Sequence, residues 1–193
     1  MGNFKSLLAE FEGVLKKYNP ENFSRLEGPL PEPEINGYLK TIGINDDDFN
    51  TLYQWTNGFD IRSGDFCEVT CWGTFLSLEY IVFSVTELGP LHRQGWPPHF
   101  IPFMADYDEQ FLLFNNESGP DYGKIHLFSV SEFSIQDPFS IFDSLLTMVQ
   151  SDIEAYKRGI YTYLPGDDMM ECDYKKYREM ARPLNKGSIY WNR

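Results

Sequence analysis

Four consecutive apolar residues, Phe111-Leu112-Leu113-Phe114, stand between polar turn segments and constrain the fold more than any other feature of the chain. A run of this length is too short for a buried helix and carries no solvent-facing alternation. It therefore predicts a strand covered on both faces, in the middle of a sheet.

The surrounding sequence has the same texture. Short segments rich in β-branched and aromatic residues lie between turn signals at Phe66–Val69, Trp72–Leu76, Phe100–Met104, Gln110–Asn115, Lys124–Phe128 and Glu132–Ile135. Most are joined by turns too short for a crossover helix, so antiparallel pairing is expected. Leu78, Ile81, Val82, Val85 and Leu88 mark a helical excursion between the second and third segments.

Helices are expected before and after this block. Phe4, Leu7, Leu8, Phe11, Val14, Leu15 and Tyr18 share one helical face, and Asn19-Pro20 ends the pattern. A Pro/Gly-rich loop over 28–33 follows. Ile35, Tyr38, Leu39 and Ile42 predict a second helix closed by Gly43. Asn45 is the expected N-cap of a third, with Asp46, Asp47 and Asp48 in its first turn. Phe49, Leu52 and Tyr53 form its apolar face, and Asn57-Gly58 stops it. Pro138 is expected to open a long helix with Ile141, Phe142, Leu145, Leu146, Val149, Ile153 and Tyr156 on its buried stripe. Pro165-Gly166, a short helix around Tyr174–Met180 and an aromatic tail through Ile189-Tyr190-Trp191 complete the chain. The tail is placed to fold back on the domain.

These elements define an α+β fold: a mixed or mainly antiparallel sheet of about six strands flanked by helices, in a single domain with a C-terminal extension. The expected divisions are 1–30 (amphipathic helix and linker), 31–163 (main domain) and 164–193 (extension). With 42% hydrophobic residues and 17% aromatics, 193 residues suffice for a packed core and exclude a disordered chain. No apolar run reaches the roughly 20 residues that span a bilayer. The alternation of Phe4–Tyr18 is unlike a signal peptide, and Met1-Gly2 is read as a chance match to an acylation pattern. Three cysteines, Cys67, Cys71 and Cys172, give no disulfide framework and fit a reducing, cytoplasmic setting.

The net charge of −13 is unevenly spread. Residues 31–170 hold 22 acids against 6 bases, whereas residues 171–193 hold three acids and six bases. An acidic middle of this kind repels nucleic acid and anionic membranes and attracts cationic partners.

Neither a phosphate-binding Gly-rich loop nor a nucleophile elbow is present. Cys67 and Cys71, with His92 and His99 downstream, are too loosely spaced for a zinc knuckle and read as buried structural thiols. His126 reads as one residue of an alternating strand. Asp106-Tyr107-Asp108-Glu109 lacks the later glycine and glutamate of a calcium loop and reads as a polar turn. Three acids on a hairpin nonetheless focus negative charge, which suits a protein partner. Trp55, Trp72 and Trp96 weigh as interface anchors or, more simply, as core. The residues thus imply no catalysis, no metal and no cofactor.

The segment Phe49-Asn-Thr-Leu-Tyr-Gln-Trp-Thr-Asn-Gly58 resembles the SUKH superfamily, in which an aromatic helix ends in a Tyr/Trp…Asn-Gly turn that opens into the sheet. Phe100-Ile-Pro-Phe-Met-Ala-Asp106, then Phe111–Asn115, then Gly123-Lys-Ile-His-Leu127 resemble the family's following strand–acid–strand–turn–strand block. The helix near Pro138–Tyr156 and the final Asn185…Tyr190-Trp191 sit where the family has a closing helix and tail. Where members carry Leu-Pro before the first block, this chain has Ile44-Asn45, with Leu30-Pro31 further upstream. The resemblance covers about residues 34–160. It implies structural roles for Tyr53, Trp55, Asn57, Gly58, Pro102 and Asp106, and a protein that acts by binding. The expected function is immunity: neutralising a cognate, nuclease-type toxin through a basic surface. The alternatives are a regulator of the cell-wall type and, more remotely, an unrecognised hydrolase. Asp106, Asp108, Glu109 and Asp121 are the expected charge contacts and Trp55 and Trp96 the expected anchors, on a monomer or weak dimer.

Overall fold

The computed structural model describes residues 4–63, 66–88, 99–106, 110–129, 139–166 and 168–192. Helix α1 (Phe4–Tyr18) buries Phe4, Leu8, Phe11, Val14 and Leu15, the stripe that the spacing predicts. Asn19-Pro20 ends it, but Pro20 also opens α2 (Pro20–Ser24) from the first helical position, where its missing N–H costs nothing. Helix α3 spans Glu32–Ile42 and α4 spans Asp47–Trp55. The N-cap of α4 is Asp46, not Asn45, because the Asp46 carboxylate accepts from the Phe49 N–H at 2.8 Å.

Five strands follow: β1 (Thr74–Phe75), β2 (Phe100–Ala105), β3 (Gln110–Asn115), β4 (Ile125–Ser129) and β5 (Phe139–Phe142). They form one sheet in the order β1-β2-β3-β4-β5, and all four pairings are antiparallel. Helix α5 (Leu78–Phe83) and a single π turn over Ser84–Leu88 fill the expected excursion after β1. Phe66–Val69 is not a strand. Its backbone is satisfied otherwise: the Glu68 N–H donates to the Asp168 carbonyl and the Glu68 carbonyl accepts from Asn19 and Asn22. The Glu132–Ile135 expectation lies outside the described residues.

The long helix starts later than expected. Phe139–Phe142 is β5, and α6 runs over Leu145–Lys157 behind a capping box in which Ser144 and Thr147 satisfy one another's backbone N–H. Beyond it, β6 (Tyr161–Tyr163) and β7 (Met170–Cys172) form a separate two-stranded antiparallel sheet, followed by α7 (Tyr174–Ala181).

β3 is the central strand and is buried on both faces. Leu112 and Phe114 enter the main core, while Leu113 joins Phe100 and Phe128 in a smaller cluster on the reverse. Phe49 of α4 meets Phe103 and Phe114 edge-on, fixing the helical layer on the main face. The same core includes residues from Phe4 to Trp191, so the tail does fold back. Trp191 packs against Trp72, Phe142 and Tyr177. Among the described residues no helix is long and apolar enough to cross a membrane.

Candidate functional site

The residues singled out in the sequence do not share one edge. Asp106 closes the end of the β2–β3 hairpin, where its carboxylate accepts from the Gln110 N–H at 2.8 Å. Asp108 and Glu109 lie outside the described residues, as does Trp96. Asp121 stands at the other end of β3, in the exposed turn before β4, and pairs with Lys124 at 2.6 Å. Six residues of strand separate the two turns, roughly 20 Å. Trp55 ends α4, half-buried against Phe11, Phe23 and Phe75, and donates from its indole N–H to Glu12 at 3.0 Å. Trp72 is core, and its indole N–H donates to Tyr177.

The residues of the Asn-Gly turn hold the α4–sheet junction. The buried Tyr53 hydroxyl donates to the Leu76 carbonyl at 2.9 Å. Asn57 donates to Glu27 at 2.7 Å and to Glu79 at 2.9 Å while accepting from the Leu78 N–H. Gly58 has φ +77°, and a β-carbon there would lie 2.5 Å from the Phe75 carbonyl oxygen, so only glycine fits. Pro102 sits beside the β2 bulge, between Pro102 and Met104, where a missing N–H is tolerated.

What the structure brings together instead is the β3–β4 turn and the segment that leads into the acidic triplet. The β3–β4 turn is latched onto the α3–α4 connection: the Asn116 side-chain amide donates to the Gly43 carbonyl at 2.9 Å, and the Tyr122 hydroxyl to the Asn45 carbonyl at 3.2 Å. Asp46 and Asp47 thereby lie beside Tyr122, whose turn also carries Asp121, paired with Lys124, and Glu117, 3.6 Å from His99. The charge leaves its mark on titration. Burial, then the charges of Asp46 and Asp47, push the Tyr122 phenol up to about 12. Burial and the neighbouring Asp46 and Asp47 likewise raise the Asp48 carboxyl. Beside this edge, an open groove of about 400 Å³ runs between α3 and α4, lined by Asn36, Leu39, Lys40, Ile44 and Asp47. Tyr122 is a large side chain left 38% exposed beside Asp46 and Asp47.

In the sequence Asp46–Asp48 allow a metal or partner site but read more simply as compensation of the helix dipole, and Tyr122 carries no signal of its own. No local signal links positions 46 and 121; the two latching hydrogen bonds do. Cys67 and Cys71 are buried and unbridged, and among the described residues no group of three His, Cys, Asp or Glu side chains is arranged for a metal ion. His126 lies in β4 opposite Leu113, its ring 4.7 Å from that of Phe100. No protein-family model matches the chain, and no curated protein matches it.

Proposed function

We propose that this is a binding protein of the immunity type, which neutralises a basic toxin domain by covering it with the acidic edge built from the α3–α4 connection and the β3–β4 turn. The observation that carries the reading is the latching of the β3–β4 turn, which bears Glu117, Asp121 and the partly exposed Tyr122, onto the α3–α4 connection and the start of α4, which bear Asp46, Asp47 and Asp48. Such an edge raises the encounter rate with a cationic cleft, and a tyrosine that is apolar in body and polar at its tip anchors the contact once water is expelled. A nuclease, whose cleft must attract a polyanion, is the matching kind of target. The resemblance of the Phe49–Gly58 and Phe100–Leu127 blocks to the SUKH superfamily points the same way. In this reading the protein performs no reaction, and Trp55 and Asp106 support the fold rather than touch the partner.

Co-expression with basic toxin domains encoded beside this protein's gene tests the reading. The wild type restores growth, and the combined Asp47→Asn, Glu117→Lys, Asp121→Lys variant weakens protection by about tenfold or more through a slower encounter. Full protection by that variant, with unchanged circular dichroism, would contradict it.

A further inference from the structure

Cys71, in the tight turn before β1, and Cys172, in β7, are 101 positions apart in sequence yet are brought to the same side chain, Tyr161, which Cys71 meets at its hydroxyl and Cys172 faces across the β6–β7 hairpin. Both are free thiols. Cys172 is half-buried and opens onto a groove of about 600 Å³ lined also by Gly159, Thr162, Met170, Glu171 and Tyr174. Cys71 is buried, and its Sγ donates to the Tyr161 hydroxyl at 3.4 Å. Tyr161 is the direct cross-strand partner of Cys172. The Tyr161 hydroxyl in turn donates to Asp152 Oδ1 at 2.6 Å. Asp152, on α6, is wholly buried, and its Oδ2 has no hydrogen-bond partner among the described residues.

A buried carboxyl with an unused oxygen, at the end of a line of donors that starts at a thiol, is a costly arrangement for stability alone. We propose that Cys172 and Cys71 form a reversible redox pair, with Cys172 attacking a disulfide that enters from the groove, Cys71 as the resolving thiol and Asp152 as its buried base through Tyr161.

The steps balance with a small-molecule disulfide, such as oxidised glutathione, as oxidant. The Cys172 thiol loses its proton to solvent, attacks one glutathione sulfur and releases one glutathione thiolate, leaving a mixed disulfide. The Cys71 sulfur then attacks Cys172 Sγ and releases the second. As it does so, the Cys71 proton passes to the Tyr161 oxygen while the Tyr161 proton passes to Asp152. Two cysteine thiols are oxidised and one glutathione disulfide is reduced. Burial raises the Asp152 carboxyl to about 7, so the base is available above neutral pH and occupied below it. The other groups around the pair are Tyr174, Tyr177 and Arg178 on α7, Tyr190, and Glu68 near the turn. Cys67 stands apart, its thiol pushed up by burial to about 11.

Treatment of the full chain with oxidised glutathione at pH 8, followed by non-reducing peptide mapping, tests the proposal. The expected product is a Cys71–Cys172 cross-linked peptide with Cys67 still free. Cys71→Ser should hold a stable glutathione adduct on Cys172. Asp152→Asn and Tyr161→Phe should acquire that adduct at the wild-type rate but close it roughly a hundredfold more slowly, the low end of what a general base contributes. Wild-type protein that forms no Cys71–Cys172 link, or that links Cys67 equally, overturns the pair. Closure by both relay variants at the wild-type rate overturns the role of Asp152.

Discussion

Tyr161 donates to Asp152 across 2.6 Å, and this one bond ties the β6–β7 hairpin to the middle of α6. Tyr177 of α7 donates to the same oxygen at 3.0 Å, so three C-terminal elements converge on a single buried carboxyl.

Its titration should dominate the pH dependence of stability. Burial raises Asp152 to about 7, against the hydrogen bonds from Tyr161 and Tyr177 that pull it down. A carboxyl with a raised folded value gives its full contribution below its unfolded value near 4 and loses it as pH rises through about 7. Between pH 5 and pH 8 the wild type should lose roughly 3 kcal/mol relative to Asp152→Asn in urea unfolding. Parallel stability profiles for the two proteins would contradict this.

Asn57 is the amide that keeps two carboxylates together. Replacing it with alanine leaves the Leu78 N–H and both glutamates without that partner, which should cost about 2 kcal/mol. Asn57→Asp should cost more at pH 8, because it adds a third negative charge beside Glu27 and Glu79. The gap between the two variants should narrow in acid, where the introduced aspartate is neutralised. Denaturant titrations at pH 8 and in acid measure it.

Gly73 cannot be substituted. It has φ +99°, and a β-carbon would sit 1.7 Å from the Ala105 carbonyl oxygen, where β1 meets β2. Gly73→Ala should cost about 3 kcal/mol or more from the combined clash and backbone strain, read as a fall in thermal midpoint.

How far the fold is legible follows from which signals are local. α1, α3 and α4 announce themselves through helical spacing, and Phe111–Phe114 marks β3 because four adjacent apolar residues need cover on both faces. β5 was hidden because Phe139–Phe142 runs directly into the apolar stripe of α6. Ser144, paired with Thr147, is the true start signal, and Pro138 is not. β6 and β7 are three residues each, too short for a period to show. Phe66–Val69 has strand composition, but buried Asn19 and Asn22 take up its backbone. Asp152 was within reach of sequence reasoning: it stands three residues after Val149 and four before Tyr156, a charge on an apolar face. The acidic edge was not, since the segments around residues 46 and 121 meet only through bonds made after folding.

The edge around Tyr122 should bind a basic protein. Affinity capture from the source organism's lysate, with the wild type and the Asp47→Asn, Glu117→Lys, Asp121→Lys variant side by side, measures it at low and high ionic strength. One basic protein is expected on the wild type at low salt, released at high salt and missing from the variant. Equal recovery by both proteins, or a partner indifferent to salt, would contradict it.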